Sequence, residues 1–169
     1  MTRAEIIRLV RQLISDEQES GFTDGGILEE AEGTRELLNY LDRAVDSYSR
    51  RGADDGDISL LKKASVASLT TLPDDFIKFA GNVPAEVTGG VATFYGHPAG
   101  KAIPIRYFAR LPWVTAYGDG DELPYRHDQA MTIAALAAIY ALNKHEFSVS
   151  QDLMLLGMGA GEANANPGG

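Results

Sequence analysis

The stretch TTLPDDFIKFAGNV, residues 70–83, interrupts the chain near its middle and decides how the segments on either side are interpreted. Pro73 ends the segment before it, because proline fixes its own backbone angle and donates no backbone hydrogen bond. The Asp74-Asp75 pair stands where a helical turn would begin, since short acidic side chains cap the first N–H groups of a helix. The pattern predicts one capped helical turn here, with Phe76 and Phe79 anchoring it to a helical bundle.

Helical patterns lie on both sides of this stretch. Thr2 and Glu5 fit a capping box, in which each side chain accepts a hydrogen bond from the other residue's backbone, and Thr34 can cap a second helix. Apolar residues then recur at helical spacing, and the alanine-rich run AMTIAALAAIYAL is apolar almost all round. The predicted helices span residues of about 3–15, 35–51, 125–146 and 149–157.

Residues 59–112 have a different texture, with short runs of β-branched and aromatic residues broken by glycine and proline. Such runs predict β-strands. Gly89-Gly90 predicts the turn of a β-hairpin, because glycine readily adopts the left-handed backbone that tight hairpin turns need. Pro104 predicts that its strand lies at a sheet edge, where a missing N–H interrupts no ladder.

Together these segments predict a mainly α fold of the α+β class, a helical bundle of about four helices with a β-hairpin-containing insertion in the middle. The two helical parts are expected to pack together, because neither carries enough apolar surface alone. A single domain is predicted over residues 1–157, followed by a flexible glycine-rich tail over residues 158–169.

The composition excludes several classes of protein. The 169 residues carry a net charge of -9, so the protein's field repels phosphate and no specific DNA binding is expected. The absence of cysteine excludes disulfides, thiolate catalysis and cysteine-based zinc sites. Charges interrupt the N-terminal apolar runs, unlike a signal peptide. The longest apolar run is shorter than the roughly 20 residues that cross a bilayer, so no membrane partner is expected.

Three motifs that resemble catalytic or metal sites fail on their spacing. GHPAGKAI has one residue too few between its glycines for a phosphate-binding loop, and no hydroxyl residue follows its lysine. The acidic loops DDGD and GDGDE lack the pattern of a calcium loop. His127 and His145 fall near opposite ends of one predicted helix, so they cannot share a metal ion. We therefore predict no catalytic, cofactor-binding or metal site, and no enzymatic activity.

The predicted last helix is apolar on almost every face, which has two explanations. It packs in the core against the preceding helix, or part of its surface docks a partner, since methionine adapts to irregular grooves. The candidate docking residues are Leu153, Met154, Leu155 and Met158.

Four segments together resemble the head-to-tail adaptor, or connector, proteins of tailed bacteriophages. They are TRAEIIRLVRQLISD (residues 2–16), RELLNYLDRAVDSYS (35–49), TTLPDDFIKFAGNV (70–83) and LPYRHDQAMTIAALAAIYALNKHEFSVSQDLMLLG (123–157). In that family a helix of the form LL-x-x-L-N-x-A precedes an LP-x-D-F segment, and a long alanine-rich helix follows a second Leu-Pro. An acidic residue then starts the last helix of the family. The matching residues here are Leu37, Leu38, Leu41, Ala44, Leu72, Pro73, Asp75, Phe76, Leu123, Pro124, Gln151 and Asp152, with Asp42 where the family often has Asn. The acidic insertion at residues 17–33 departs from the pattern.

The resemblance implies a helical bundle carrying a β-hairpin, assembled as a homo-oligomeric ring that is often a dodecamer. Such a ring docks on the portal protein beneath the filled capsid, extends the DNA channel and offers a platform to the tail or nozzle protein. It implies no catalysis and no cofactor, a place in the neck of the virion, and assembly in the cytoplasm of the host bacterium.

Two groups of residues have candidate roles in such a ring. An acidic lumen lets double-stranded DNA pass transiently without specific binding, because phosphate contacts are what produce affinity. The candidate channel-lining residues are Asp54, Asp55, Asp57, Asp119 and Asp121. The candidate contacts between subunits are Phe94, Tyr95 and Trp113.

Three other functions fit the same residues. The first alternative is another head- or tail-completion protein of the virion, which would contact a different ring. A soluble helical ligand-binding or regulatory protein would be a monomer or dimer with a closed pocket, and small ligands would raise its melting temperature. An enzyme would lose activity on substitution of His127.

Overall fold

The computed structural model describes residues 1–14 and 30–143. The chain divides into two compact units, which we call the helical unit (Met1–Val45 with Trp113–Gly169) and the sheet unit (Asp46–Pro112). The helices described are α1 (Arg3–Leu13), α2 (Glu30–Asp55) and α3 (His127–Asn143), and α2 contributes residues to both units. The strands described are β1 (Leu61–Ala67), β2 (Thr70–Thr71), β3 (Phe76–Phe79), β4 (Ala85–Thr88), β5 (Val91–Phe94) and β6 (Ala102–Ala109). Single turns of 3-10 helix lie at Ile58–Leu60 and Val114–Ala116.

In the helical unit, α1 packs against α3. The predicted capping box is confirmed, because the Thr2 hydroxyl accepts from the Glu5 N–H at 3.2 Å and the Glu5 carboxylate accepts from the Thr2 N–H at 2.7 Å. The Arg43 guanidinium on α2 lies 4.4 Å from the ring centre of Tyr140 on α3, a cation–π contact. The fully buried side chains of this unit are Ile6, Val10, Leu37, Leu41, Val45, Val114, Ile133 and Leu136.

The sheet unit contains two antiparallel sheets of three strands each. One has the strand order β1-β6-β3 and the other has the order β2-β5-β4. A single core cluster joins their inner faces, with aromatic rings at its centre: Phe79 lies 6.1 Å from Phe94, ring centre to ring centre. The buried members of this cluster are Val66, Leu72, Ala92, Phe94, Ile105, Tyr107 and Ala109.

The predicted hairpin is confirmed as β4 and β5, joined at Gly89-Gly90. Thr88 pairs with Val91 across the turn. The two glycines have φ angles of 59° and 78°. Positive φ at both central residues defines the turn whose twist matches that of the flanking strands, which explains why this position holds two glycines.

The expected edge position of the Pro104 strand is wrong, because β6 is the central strand of its sheet. Pro104 pairs with Ser65 of β1 on one side. On the other side β3 is only four residues long, and its ladder ends at the pairing of Phe79 with Tyr107. Pro104 therefore lies in the half of β6 that has one neighbouring strand, where its missing N–H breaks no ladder.

The LPDDF segment does not form the predicted helical turn. The Phe76 N–H donates to the Pro73 carbonyl at 2.9 Å, which closes a β-turn, and the chain then continues as strand β3. Phe76 and Phe79 make an edge-to-face ring pair at 4.8 Å, and Phe76 stacks on Tyr107 at 5.7 Å. The two phenylalanines therefore anchor the segment within the sheet unit and not to a helical bundle.

The predicted four-helix bundle with an inserted hairpin is also wrong. The described residues form three helices and two three-stranded antiparallel sheets, an α+β fold. The physical reason is that residues 61–109 carry enough apolar side chains to form a core cluster of their own between two sheets. The predicted helix at residues 149–157 and the predicted tail at residues 158–169 lie outside the described residues.

Candidate functional site

Three of the five predicted channel-lining aspartates lie together in the sheet unit, where α2 ends. The Asp54 carboxylate accepts from Lys78 at 2.8 Å, and that hydrogen bond with its positive charge lowers the pKa of Asp54. Asp55 is paired with Arg51 one helical turn earlier at 2.9 Å. Asp57 accepts from the Ser59 N–H at 2.9 Å and caps the short 3-10 turn. Each carboxylate thus has a structural partner within the unit.

The other two, Asp119 and Asp121, lie in one loop of the helical unit. Asp119 is paired with Arg3 of α1 at 2.7 Å. The Asp121 carboxylate accepts from the Gly118 N–H at 2.6 Å and closes the GDGD turn. The Arg3 guanidinium also donates to the Tyr117 carbonyl, so this loop is held against the start of α1.

The three predicted subunit contacts have different environments. Phe94 is only 3% exposed and belongs to the core cluster of the sheet unit. Tyr95 is 58% exposed, and its hydroxyl donates to Glu86 at 3.1 Å, which raises the pKa of Tyr95. Trp113 is half-buried and precedes the 3-10 turn of the helical unit. Of the two predicted subunit contacts in the sheet unit, Phe94 and Tyr95, Tyr95 is therefore the one that a neighbouring molecule can reach.

Further exposed apolar side chains accompany Tyr95 in the sheet unit. Leu69 is 61% exposed, with a left-handed backbone (φ 65°) in the turn before β2, and Val87 on β4 is 42% exposed. Ile58, in the 3-10 turn before β1, is 83% exposed. Singly exposed apolar side chains are normal on protein surfaces, but Val87 lies on β4, whose outer edge pairs with no strand among the described residues and is open to another chain.

An open groove of about 380 Å³ lies between β1 and residues 70–74. One wall is the strand itself, and the other is formed by β2 and the Leu72-Pro73-Asp74 segment. The lining residues are Ala64, Ser65, Val66, Ala67, Thr70, Thr71, Leu72, Pro73 and Asp74. They are mostly small or apolar, which favours a polypeptide over a charged small molecule as the occupant.

A pair of basic residues lies beside this groove. Lys63 of β1 and Arg106 of β6 are direct cross-strand partners, and both are exposed. Within residues 1–14 and 30–143, neither side chain takes part in an ion pair or hydrogen bond. Like charges placed directly opposite each other in a sheet are destabilising. This pair is therefore a site at which a carboxylate from another molecule would be stabilising.

Asp75 of the LPDDF segment has a role that the sequence did not reveal. Its carboxylate accepts from the Tyr107 hydroxyl at 3.0 Å and from Lys62 at 2.5 Å. Burial, and then the hydrogen bond to Asp75, raise the pKa of Tyr107 to about 12. Asp75, which was predicted to cap a helix, thus links the LPDDF segment to strands β1 and β6 through hydrogen bonds to Lys62 and Tyr107.

Asp42 is the second such residue, in the helical unit. Its carboxylate accepts from the Val114 N–H at 2.7 Å, the Thr115 N–H at 3.3 Å and the Thr115 hydroxyl at 2.5 Å. Burial raises the pKa of Tyr125 well above its usual value, and the Asp42 charge adds to that effect. The only sequence signal was an acidic residue in an otherwise apolar motif, where the family pattern often has Asn.

The described residues add no metal or membrane site to this inventory. In residues 1–14 and 30–143, no three His, Cys, Asp or Glu side chains come close enough to hold a metal ion. None of the helices in that part of the chain is long and apolar enough to cross a membrane. Asp128, beside His127, accepts two hydrogen bonds from Arg126 at 3.1 and 2.8 Å, which lower the pKa of Asp128. The predicted docking residues Leu153, Met154, Leu155 and Met158 lie outside the described residues.

No protein-family model, no curated protein and no solved structure matches this chain.

Proposed function

We propose that this chain is a structural, non-catalytic subunit of a head-to-tail adaptor ring in the neck of a tailed bacteriophage. In this role it docks on the portal protein, extends the DNA channel and provides the attachment platform for a tail or nozzle protein. The four sequence segments that resemble the family motivate the choice of assembly. The four-helix bundle that the resemblance implied is not part of the proposal.

One observation carries the proposal beyond the resemblance. The outer edges of β1 and β4 pair with no strand among the described residues, and Val87 on β4 is exposed; free strand edges are surfaces that another chain can cover. A ring of identical subunits covers one such surface of each copy with a different surface of the next. An assembly protein is thus a better fit than a monomeric carrier of small molecules.

The leucines of the family-like motifs also fit a structural role. Leu37 and Leu41 are 0% exposed, and Leu72 and Leu123 are 5% exposed. Side chains buried to this degree maintain packing and do not contact substrates. These four leucines of the motifs are therefore core positions, which accords with a function based on shape and contacts.

The channel and the portal contacts remain parts of the proposal. The proposed channel lining is Asp54 and Asp55 at the end of α2, Asp57 after it, and Asp119 and Asp121 in their loop, and their negative charge keeps DNA from adhering. The segment with Leu153, Met154, Leu155 and Met158 docks on the portal protein. Truncation after Gly157 removes the tail together with Met158: unchanged portal binding by the truncated chain would exclude both and leave docking to Leu153, Met154 and Leu155.

The mass of the purified protein in solution tests the proposal, measured by light scattering alone and after mixing with the portal protein of the same genome. We expect a ring, formed either by the chain alone or on the portal. A portal protein from an unrelated phage is the control for nonspecific adhesion. A monomer or dimer that ignores its own portal would overturn the proposal and favour the ligand-binding alternative.

A further inference from the structure

The outer edge of β1 has backbone groups that no strand of the described chain uses. In an antiparallel pair, successive residues direct their N–H and C=O groups to opposite sides. Arg106 of β6 directs its carbonyl toward β3, where it accepts from the Ala80 N–H at 2.9 Å, so its neighbour Ile105 faces β1. Ile105 pairs with Ala64, which leaves the backbone groups of Lys63 and Ser65 facing outward, and Ser65 also lines the groove. The Ala67 carbonyl follows the same alternation, since it accepts from the Thr70 hydroxyl at 2.6 Å outside the β1–β6 ladder.

A second outer edge lies on β4, at the far side of the other sheet. Ala92 of β5 directs its carbonyl toward β2, where it accepts from the Leu69 N–H at 2.8 Å. Val87 of β4 is the direct partner of Ala92, so its own N–H and C=O face away from β5. The Val87 side chain is also 42% exposed. In the described part of the chain, no strand pairs with this edge.

The charges on these two edges oppose each other. β1 carries Lys62 and Lys63 and no acidic residue, whereas β4 carries Glu86 and no basic residue. Joining two β1 edges, or two β4 edges, would bring like charges together, which is destabilising across strands. Joining β1 to β4 brings Glu86 toward the uncompensated pair of Lys63 and Arg106.

The charge of the whole chain is divided in the same sense. Residues 46–112 contain eight Lys or Arg and seven Asp or Glu, a net charge of +1. The remaining residues contain seven Lys or Arg and 17 Asp or Glu, a net charge of -10. The sheet unit is thus the part of the chain that another copy can bind with little electrostatic repulsion.

We propose that strand β4 of one copy adds to the outer edge of β1 of the next copy, in the groove between β1 and residues 70–74. Backbone hydrogen bonds from Val87 to Lys63 and Ser65 supply affinity, and Glu86 beside Lys63 and Arg106 supplies direction. Strand addition to a free edge is a common mode of recognition. Because the two edges differ, the contact is head-to-tail and generates a closed ring or a filament. This inference rests on the proposed ring function and specifies its subunit contact.

Two proline substitutions test the inference. Ser65→Pro removes an outward N–H and crowds the groove, and proline is tolerated at such an outward-facing edge position because the β1–β6 ladder does not use that N–H. Val87→Pro does the same to β4. We expect each variant alone to have the mass of a single chain, 18.2 kDa. Ser65→Thr and Val87→Thr keep the N–H and are the matched controls, which are expected to assemble as the wild type does.

Mixing the two proline variants gives the sharper result. The Ser65→Pro chain keeps an intact β4 edge and the Val87→Pro chain keeps an intact β1 edge, so the mixture is expected to form a dimer that grows no further. Where the wild type assembles alone, a mixture that stays monomeric would contradict the inference, provided that circular dichroism shows both variants to be folded. Where the wild type assembles only on the portal, the mixture is measured with portal protein, and the absence of paired chains on the portal would contradict it. If either variant is unfolded, Lys63→Glu and Glu86→Lys replace them: each single variant is expected to weaken assembly, and the double variant to restore it.

The same measurements, made with and without portal protein, separate this inference from the proposed function. Rings formed by both proline variants would overturn the β1–β4 contact and leave the adaptor proposal standing. A wild-type chain that stays monomeric alone and with its portal would overturn both.

Discussion

The helical unit and the sheet unit solve the problem of burial in different ways. The helical unit buries aliphatic side chains completely, and alanines on α3 let its neighbours approach closely. The sheet unit buries a cluster centred on Phe94 and Tyr107 but keeps Leu69, Val87 and Tyr95 exposed near strand edges. The helical unit carries the negative charge of the chain and the sheet unit is almost neutral. The sheet unit is therefore the part of the chain that we propose contacts other chains.

The largest expected effect is in the sheet core. Phe94→Ala removes a ring from the centre of that cluster, and such truncations cost about 3–5 kcal/mol. We expect urea unfolding to show this loss of stability, and hydrogen exchange to show it first in residues 61–109. Tyr95→Ala, next to it but exposed, is the control and is expected to change stability by only about 0.5–1 kcal/mol. Equal costs for the two variants would mean that the cluster does not hold this unit together.

The matching change in the helical unit is Ile133→Ala. Ile133 is 0% exposed on α3, and replacing such a residue by alanine costs about 2–5 kcal/mol. Met131→Ala, on the exposed side of the same helix, is the control. We expect exchange protection to fall first in α1 and α3. If protection in residues 61–109 fell to the same extent, the two units would unfold as one cooperative body, and the separate burial of each unit would not give it a separate stability.

A smaller effect is expected from Asp42→Ala. The change leaves the N–H of the buried Val114 without its acceptor, and an unsatisfied buried donor costs about 1–3 kcal/mol, whereas the exposed Thr115 N–H and hydroxyl can donate to water. Asp42→Asn keeps one acceptor oxygen and is expected to retain part of the stability. Thermal unfolding of the three proteins measures the order. An alanine variant as stable as the asparagine variant would show that water replaces the carboxylate.

Features encoded by neighbouring residues were predictable from the sequence. The capping box at Thr2 and Glu5 and the tight turn at Gly89-Gly90 depend on a few adjacent positions, and both are confirmed. Local backbone rules suffice for such features, because the hydrogen bonds that form them span few residues.

Features that depend on distant partners were not predictable. LPDDF begins like a capped helical turn, but Phe76 and Phe79 pair with the central strand β6, which lies about 30 residues further along the chain. Tertiary burial against Tyr107 outweighs the local preference for a cap. The central position of β6 and the roles of Asp42 and Asp75 follow from the same long-range pairings, so a single sequence does not give them.

Tyr107 offers a test of the sheet unit that depends on pH. Its pKa is raised from 10.0 to about 12 in the folded chain. A group with a raised folded-state pKa contributes its stability in full below the unfolded pKa and loses it as the pH rises through the folded pKa. We expect the unfolding free energy of the wild type to fall from pH 10 toward pH 12 more steeply than that of Tyr107→Phe. Parallel curves would mean that the hydroxyl is solvated.

The smallest expected effect is at the start of α1, in the helical unit. Thr2→Ala removes the cap on the Glu5 N–H and is expected to cost about 0.5–2 kcal/mol, whereas Thr2→Ser keeps the acceptor oxygen and is the control. The backbone hydrogen bond from Thr2 lowers the pKa of Glu5, so its contribution is present above the unfolded pKa and is lost as the pH falls through the folded one. Glu5→Gln should therefore differ from the wild type at neutral pH and approach it in acid. Amide hydrogen exchange of Thr2→Ala measures how far this loss extends, because α1 packs on α3. Faster exchange in both helices would show that the cap supports the whole helical unit. Faster exchange in α1 alone would show fraying of one helix end.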